Sequence, residues 1–251
     1  MTLLQTVKLR KHFGDTKAVD DVDFVVTKGE FLSLVGSNGA GKTTLVNLIS
    51  AFLRPDSGQI LFDGADITHA SVAERLRAGI ARSFQLVNVF DDMTAFDNIS
   101  LSIFSREGKT LHITALAERD EEVQREADDI LQQFGLKAKR DVAVRGLAQG
   151  ERKLLDVAIA YAPRPRLLFL DEPTSGVSTR NKSQIMDIIS SVVRAGNVTA
   201  VVIEHDMDVV FKYSDRIVAM HEGAVIGDGT PDEIRRNEAV RANLLGGSLP
   251  G

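Results

Sequence analysis

An α/β fold built on a largely parallel sheet is predicted by three features of this sequence. Residues 31–35, 167–170 and 201–203 are continuous apolar runs, the pattern of strands buried on both faces of a parallel sheet. Apolar residues also recur at helical spacing: Leu45, Leu48, Ile49 and Phe52 after the first run, then Ile185, Ile188, Ile189, Val192 and Val193 between the other two. Finally, each run stops abruptly in polar residues. The first meets Gly36-Ser37-Asn38-Gly39-Ala40-Gly41-Lys42-Thr43, the second Asp171-Glu172 and the third Glu204-His205. Ligands of open parallel sheets bind beyond the carboxyl ends of the strands, so these polar ends predict one site.

Taken in order, the chain opens with alternating apolar and polar residues at 3–9 and 22–26, separated by the turn Phe13-Gly14-Asp15. Lys28-Gly29-Glu30 makes a second turn. After the first helix, Arg54-Pro55-Asp56-Ser57-Gly58 is a cluster of breakers. Strands follow at 59–62, closed by Asp63-Gly64, and at 80–84, ending at Gln85. From about 90 to 145 the pattern turns helical: Val123, Ala127, Ile130, Leu131 and Phe134 repeat every 3.6 residues, and Gly135 lies just past the end. Its charged face, from Glu118 to Glu122 with Asp128 and Asp129, reads as solvated. Residues 217–220 and 224–226 read as closing strands, short helices are expected from Pro231, and residues 246–251 read as a frayed tail.

Composition narrows the function. The 251 residues are 43% hydrophobic and 26% charged, ordinary values for a globular chain of one large domain, or of a domain with a subdomain. Thirty-five acidic against thirty basic residues give a net charge of −5, which argues against a nucleic-acid binder. The absence of cysteine excludes disulfides and thiolate metal sites and suits a cytoplasmic location. The N-terminus lacks the pattern of a signal peptide, and no run approaches the length of a membrane span. A membrane role must come through a partner.

The first polar stretch fits G-x-x-x-x-G-K-[ST], the phosphate-binding loop. Its glycines let the backbone wrap a phosphate so that successive N–H groups point inward. Lys42 can reach β- and γ-phosphate oxygens, Thr43 can ligate Mg²⁺, and the following helix presents its positive end to the same anion. Asp171 stands where P-loop NTPases hold Mg²⁺ through water, and the adjacent Glu172 could polarise an attacking water. His205 could contact the γ-phosphate or orient that water.

The order P-loop, Gln85, Leu147-Ala148-Gln149-Gly150-Glu151, Leu170-Asp171-Glu172-Pro173 and His205 resembles the ATPase subunits of ABC transporters, from about residue 13 to 245. The resemblance implies a P-loop NTPase core with a mixed, mostly parallel sheet, an N-terminal antiparallel β subdomain and an inserted helical subdomain. Residues 1–89 and 162–235 would form the nucleotide-binding core, 90–161 the helical subdomain and 236–251 a C-terminal tail. It implies ATP and Mg²⁺ as ligands, with Phe13 stacked on adenine and the loop from Gly36 through Thr43 and Thr44 around the phosphates. Thr43, Gln85 and Asp171 would serve the metal, with Gln85 linking it to the membrane subunits. Glu172 would be the catalytic base, assisted by Lys42, and His205 the γ-phosphate switch. Ala148, Gln149, Gly150 and Glu151 would face the nucleotide of a second ATPase subunit, identical or not, in a head-to-tail dimer. Two positions depart from the family pattern: Ala148 replaces the usual serine, and Ser178 replaces an Asp or Asn.

Within that family, Leu147-Ala148-Gln149-Gly150-Glu151, Ile203-Glu204-His205-Asp206-Met207 and Gly229-Thr230-Pro231-Asp232-Glu233-Ile234 are most similar to branched-chain amino acid importers. Amide or urea importers and the ATPase of lipopolysaccharide export share much of the pattern. The partners implied are transmembrane permease subunits and, indirectly, a solute-binding protein, with the chain peripheral on the cytoplasmic face of the membrane. A non-transport ABC ATPase of DNA repair or translation, or a P-loop kinase, are the other readings. The first usually carries two nucleotide modules, and the second has no role for the 147–151 signature.

Overall fold

The computed structural model describes residues 1–83, 89–108 and 120–244. These fall into two compact units, one from residues 1–78 with 198 onward, the other from residues 79–197.

In the first unit, β1 (Thr2–Phe13) and β2 (Thr16–Thr27) form the expected hairpin, with β4 (Ser57–Phe62) and β5 (Ala65–Asp66) extending the antiparallel sheet in the order β2-β1-β4-β5. The β4–β5 turn has positive φ at both Asp63 and Gly64, the geometry that Asp-Gly favours in a two-residue hairpin. Thr6, fully buried, stitches β1 to β2: its hydroxyl donates to Val22 O at 2.9 Å and accepts from Phe24 N–H at 3.0 Å.

The second sheet of this unit is built on β3 (Phe31–Gly36), whose six residues are all buried. Parallel to it run β8 (Thr199–Ile203) and β9 (Arg216–His221), one on either side, and β10 (Ala224–Gly229) closes β9 antiparallel. Continuous apolar sequence is therefore matched by burial on both faces, worth about 1.5–3 kcal/mol per large side chain. On one face Val35, Val210, Ile217, Ala219, Ile234 and Val240 form a single core cluster. They bring in α7 (Met207–Tyr213), α8 (Pro231–Arg236) and α9 (Glu238–Asn243). Residues past 236, expected as a tail, thus include a packed helix; residues 245–251 lie outside the described residues.

The helix after β3, α1 (Lys42–Ile49), is shorter than its apolar spacing predicted. Ser50 caps it, Ala51 turns to φ +64, and Phe52, expected on the buried face, is left 49% exposed. The cause lies in α2 (Val72–Ala78), whose Arg75 is 2% exposed. Its guanidinium donates to the carbonyls of Leu48 and Ile49 (2.6 Å each), Ile67 (2.7 Å) and Thr68 (2.9 Å). The terminal carbonyls of α1 are thereby satisfied without another turn of helix.

In the second unit, β6 (Ile80–Arg82) and β7 (Leu167–Asp171) pair in parallel. Among the described residues of the helical stretch lie α3 (Ala95–Glu107) and α4 (Glu121–Gln133); α5 (Gln149–Tyr161) and α6 (Thr179–Ala195) follow it. Thr94 and Asp97 form a reciprocal capping box at the start of α3. Val123, Ala127, Ile130 and Leu131 are the buried face of α4, as their spacing required. Gly135 follows it at φ +70, and Leu136 N–H returns to Leu131 O at 2.7 Å. The Arg140 guanidinium lies 3.8 Å from the centre of the Phe96 ring, and Phe134 meets Tyr161 edge-on at 5.7 Å.

Candidate functional site

The loop between β3 and α1 has the form its sequence predicted. A Cβ on Gly41, which has φ +101, would lie 2.1 Å from Ala18 O, and one on Gly36 would lie 2.5 Å from Met220 O. Neither position admits a side chain. Ser37, Asn38 and Gly39 are exposed, whereas Ala40 and Gly41 are buried. Helix α1 begins directly at Lys42, with no side-chain cap and no acidic residue in its first turn. Its terminal N–H groups and the positive end of its dipole are thus left for an anion.

Lys42 is buried, and its ammonium donates to the carbonyls of Gly36 at 2.7 Å and Ser37 at 3.0 Å. The side chain therefore folds back over the loop instead of standing in solvent. Thr43, next to it, is exposed, and Thr44 is half-buried. Amide donors, a lysine ammonium and a hydroxyl on one turn fit a polyphosphate. Because Leu34 is in register with Ile203, Glu204 and His205 leave the sheet beside Gly36. Glu204 is buried, His205 is exposed, and Asp206 caps α7 by accepting from Asp208 N–H at 3.2 Å. Phe13 ends β1 half-exposed, with the Lys11 ammonium 5.6 Å from its ring centre. Among the first unit's predicted residues, the P-loop and His205 are brought side by side.

The second unit carries the acidic pair. Asp171 ends β7 buried and makes an ion pair of 2.7 Å with Arg82 of β6, itself nearly buried. Ser83 Oγ accepts from Asp171 N–H at 3.4 Å. Glu172, half-buried, has φ +49. A residue with a Cβ in this region costs about 1–3 kcal/mol and persists only where its surroundings hold it. Lys153 of α5 helps hold it, donating to Glu172 O at 3.2 Å and Ser175 Oγ at 2.9 Å.

The 147–151 signature forms the entry to α5. Glu151 accepts from Ala148 N–H at 2.9 Å, which is half a capping box. A serine hydroxyl would complete it, but Ala148 has none, so the first turn of α5 has no side-chain cap. Ala148 and Gln149 are exposed. Ser178, the other departure, is the N-cap residue of α6 without capping through its hydroxyl. Gln85 lies outside the described residues.

Sequence reasoning missed Arg75, Arg82 and Lys153. An arginine after apolar Ile80 and Ala81 was a signal in plain sight, since a charge on a short buried strand needs a partner. Arg75 and Lys153 sit in ordinary amphipathic helices, and only tertiary contacts distinguish them from solvated charges.

A parallel sheet with a glycine-rich loop feeding a helix N-terminus, and a buried Asp followed by Glu at a strand end, define a P-loop NTPase. Residues 19–175 match the ABC transporter family, and the chain belongs to that family. It is 34% identical to the probable branched-chain amino acid transport ATP-binding protein LivG of Archaeoglobus fulgidus, covering 98% of this chain and 96% of that one. It is also 34% identical to the high-affinity branched-chain amino acid transport ATP-binding protein BraF of Pseudomonas aeruginosa, covering 97% and 98%. Among solved structures, it resembles the ADP conformation of MJ1267, an ATP-binding cassette of an ABC transporter. The TM-score is 0.84, with 30% identity over 98% of this chain and 99% of that one. A nucleotide-free ATP-binding cassette from an ABC transporter gives a TM-score of 0.81 at 30% identity, covering 98% and 96%. The chain is thus an ATP-binding and ATP-hydrolysing subunit of an ABC transporter. Among the described residues, no helix is long and apolar enough to cross a membrane.

Proposed function

We propose that this subunit drives uptake of branched-chain amino acids, working on the cytoplasmic face of the membrane with transmembrane permease subunits and a solute-binding protein. The observation that carries this reading is identity to two proteins named for branched-chain amino acid transport, extending over nearly the whole of each chain rather than the nucleotide motifs alone. The family core matches only residues 19–175. Similarity beyond it includes the stretch that forms β9, β10, α8 and α9.

In this reading Phe13 stacks on adenine and the loop from Gly36 to Thr44 binds the phosphates. Lys42 exchanges its bonds to Gly36 O and Ser37 O for β- and γ-phosphate oxygens. Magnesium would be held by the Thr43 hydroxyl, by Gln85 and, through water, by Asp171, and it would neutralise phosphate charge. Among the described residues no three His, Asp or Glu side chains gather into a metal cage. Magnesium needs none, because it is bound by one or two carboxylates together with the substrate's own phosphates. Glu172 accepts the proton of the water that attacks the γ-phosphoryl group, and His205 steadies that group. Ala148, Gln149, Gly150 and Glu151 of a second subunit close over the same phosphate in a head-to-tail dimer. The uncapped start of α5 supports that role, since amides with no side-chain acceptor suit an anion.

Glu172→Gln tests the mechanism. The variant keeps the phosphate contacts of Lys42 and Thr43, so it is expected to bind ATP without hydrolysing it. On size exclusion it should run as a dimer in ATP and a monomer in ADP. A variant that binds ATP yet stays monomeric at high concentration refutes the composite site. The transported solute is tested separately: the native membrane complex is isolated through this subunit and its solute-binding protein titrated with leucine, isoleucine and valine. Preference for an amide or urea, or co-isolation with lipopolysaccharide-export components, overturns the substrate assignment.

A further inference from the structure

Glu172 adopts its left-handed backbone immediately after the last residue of β7, and its carbonyl is anchored twice. It accepts from Ser175 N–H at 3.1 Å and from the Lys153 ammonium at 3.2 Å. Lys153 lies on α5, just past the signature residues, and is 6% exposed. Among the described residues no carboxylate lies within ion-pair distance of its nitrogen; its oxygen partners are Glu172 O and Ser175 Oγ. Burying an ammonium is costly unless polar groups replace its water, so a lysine satisfied by these two oxygens resists displacement from them. A second contact joins the same two segments. A Cβ on Gly176 would lie 2.3 Å from Gln149 Nε2, so the signature glutamine rests directly on the loop after Glu172.

We infer that Lys153 is a positioning residue for Glu172. Its ammonium locks the Glu172 peptide and the turn to Ser175, which sets the direction in which the carboxylate leaves the end of β7. Its hydrogen-bond partners among the described residues are the backbone and the turn of Glu172 and no phosphate-loop residue, so Lys153 is assigned to the chemical step and not to nucleotide binding. The inference rests on Glu172 being the catalytic base, and the experiment separates the two.

Lys153→Met keeps the aliphatic stem and removes the charge. Misplacing a reacting group slightly costs large factors in rate, so steady-state hydrolysis by the full chain should show kcat reduced by about ten-fold or more, with KM for ATP within about two-fold of the parent. In a Glu172→Gln background, the slow residual hydrolysis left at enzyme excess over long incubation should fall by less than about two-fold further on adding Lys153→Met, because the group being positioned is already gone. Parent-like kcat in Lys153→Met, with Glu172→Gln inactive, overturns the inference and leaves the base assignment standing. The same overturning follows if Lys153→Met costs an equal factor in both backgrounds. An active Glu172→Gln removes the base assignment and this inference with it. Should Lys153→Met fail to fold, Ser175→Ala decides. Losing one of the lysine's two acceptors should lower kcat by about three-fold or more at unchanged KM, and a parent-like kcat again overturns the positioning role.

Discussion

Replacing Arg75 with methionine tests whether one buried side chain sets the end of the P-loop helix. The guanidinium is 2% exposed and donates to four carbonyls, at 2.6, 2.6, 2.7 and 2.9 Å. Burial pushes its pKa down to about 10, so it stays charged at neutral pH. Four hydrogen bonds from a charged donor contribute about 1.5–3 kcal/mol each, or roughly 6–12 kcal/mol gross. Against this stands the several kcal/mol needed to strip water from a buried ion. Methionine removes the ion and with it the guanidinium donors of the Ile49 and Thr68 carbonyls, while Leu48 O and Ile67 O keep backbone bonds from Ala51 N–H and Ala70 N–H. Removing one partner of such a buried charged set typically costs about 3–5 kcal/mol. In a chain of this size each kcal/mol moves the melting point by about 2–4 °C, so Arg75→Met should melt at least about 6 °C lower. Circular dichroism melts at neutral pH measure it. Below its melting point the variant should keep its affinity for ATP, since the phosphate loop is at the other end of α1. A melting point within about 2 °C of the parent would refute the view that this guanidinium terminates α1.

Other consequences are equally direct. Lys42→Ala removes charge-assisted bonds of about 1.5–3 kcal/mol each, so ATP hydrolysis should fall by about a hundred-fold or more while circular dichroism stays unchanged; substantial residual turnover contradicts the loop's assignment. Phe13→Ala should weaken ATP and GTP alike, by about 1–3 kcal/mol, because stacking is indifferent to base identity; isothermal titration showing a loss for one nucleotide alone contradicts stacking. In the second unit, hydrogen bonds from Arg106, followed by its charge and that of Arg164, hold the Glu126 carboxyl below its usual pKa of 4.5. A carboxylate whose pKa is lowered by folding stabilises the native state above its unfolded pKa and loses that contribution as pH falls through the folded value. The difference in urea midpoint between the parent and Glu126→Gln should therefore be largest near pH 7 and shrink steadily below about pH 4.5, and a pH-independent difference argues against the ion pair.

Much of this protein was legible in its sequence because its chemistry is local. The phosphate loop needs glycine at 36 and 41, lysine at 42 and a hydroxyl at 43 within one turn of backbone, so linear spacing alone specified its shape. The three apolar runs predicted buried parallel strands because a strand covered on both faces has no polar side to show. Gly135 marked the end of α4, and Asp63-Gly64 the turn between β4 and β5, because few residues tolerate the backbone those turns require.

Other features depend on residues far apart in the chain. Helical spacing placed Phe52 on a buried face. Arg75, more than twenty residues downstream, takes the last carbonyls of α1 and leaves that phenylalanine in solvent. Asp171 was readable as a carboxylate at a strand end, but not as the ion-pair partner of Arg82, which lies 89 residues earlier. Nothing near Lys153 in the sequence points to Glu172; only the fold brings its ammonium to that residue's carbonyl. The sequence by itself determined the shape of the loop proposed to meet a phosphate, since its defining residues lie within a few positions of one another. Only the tertiary structure decided which buried charges hold those groups in place, because a buried ion must find oxygen partners wherever the fold supplies them, at any separation along the chain.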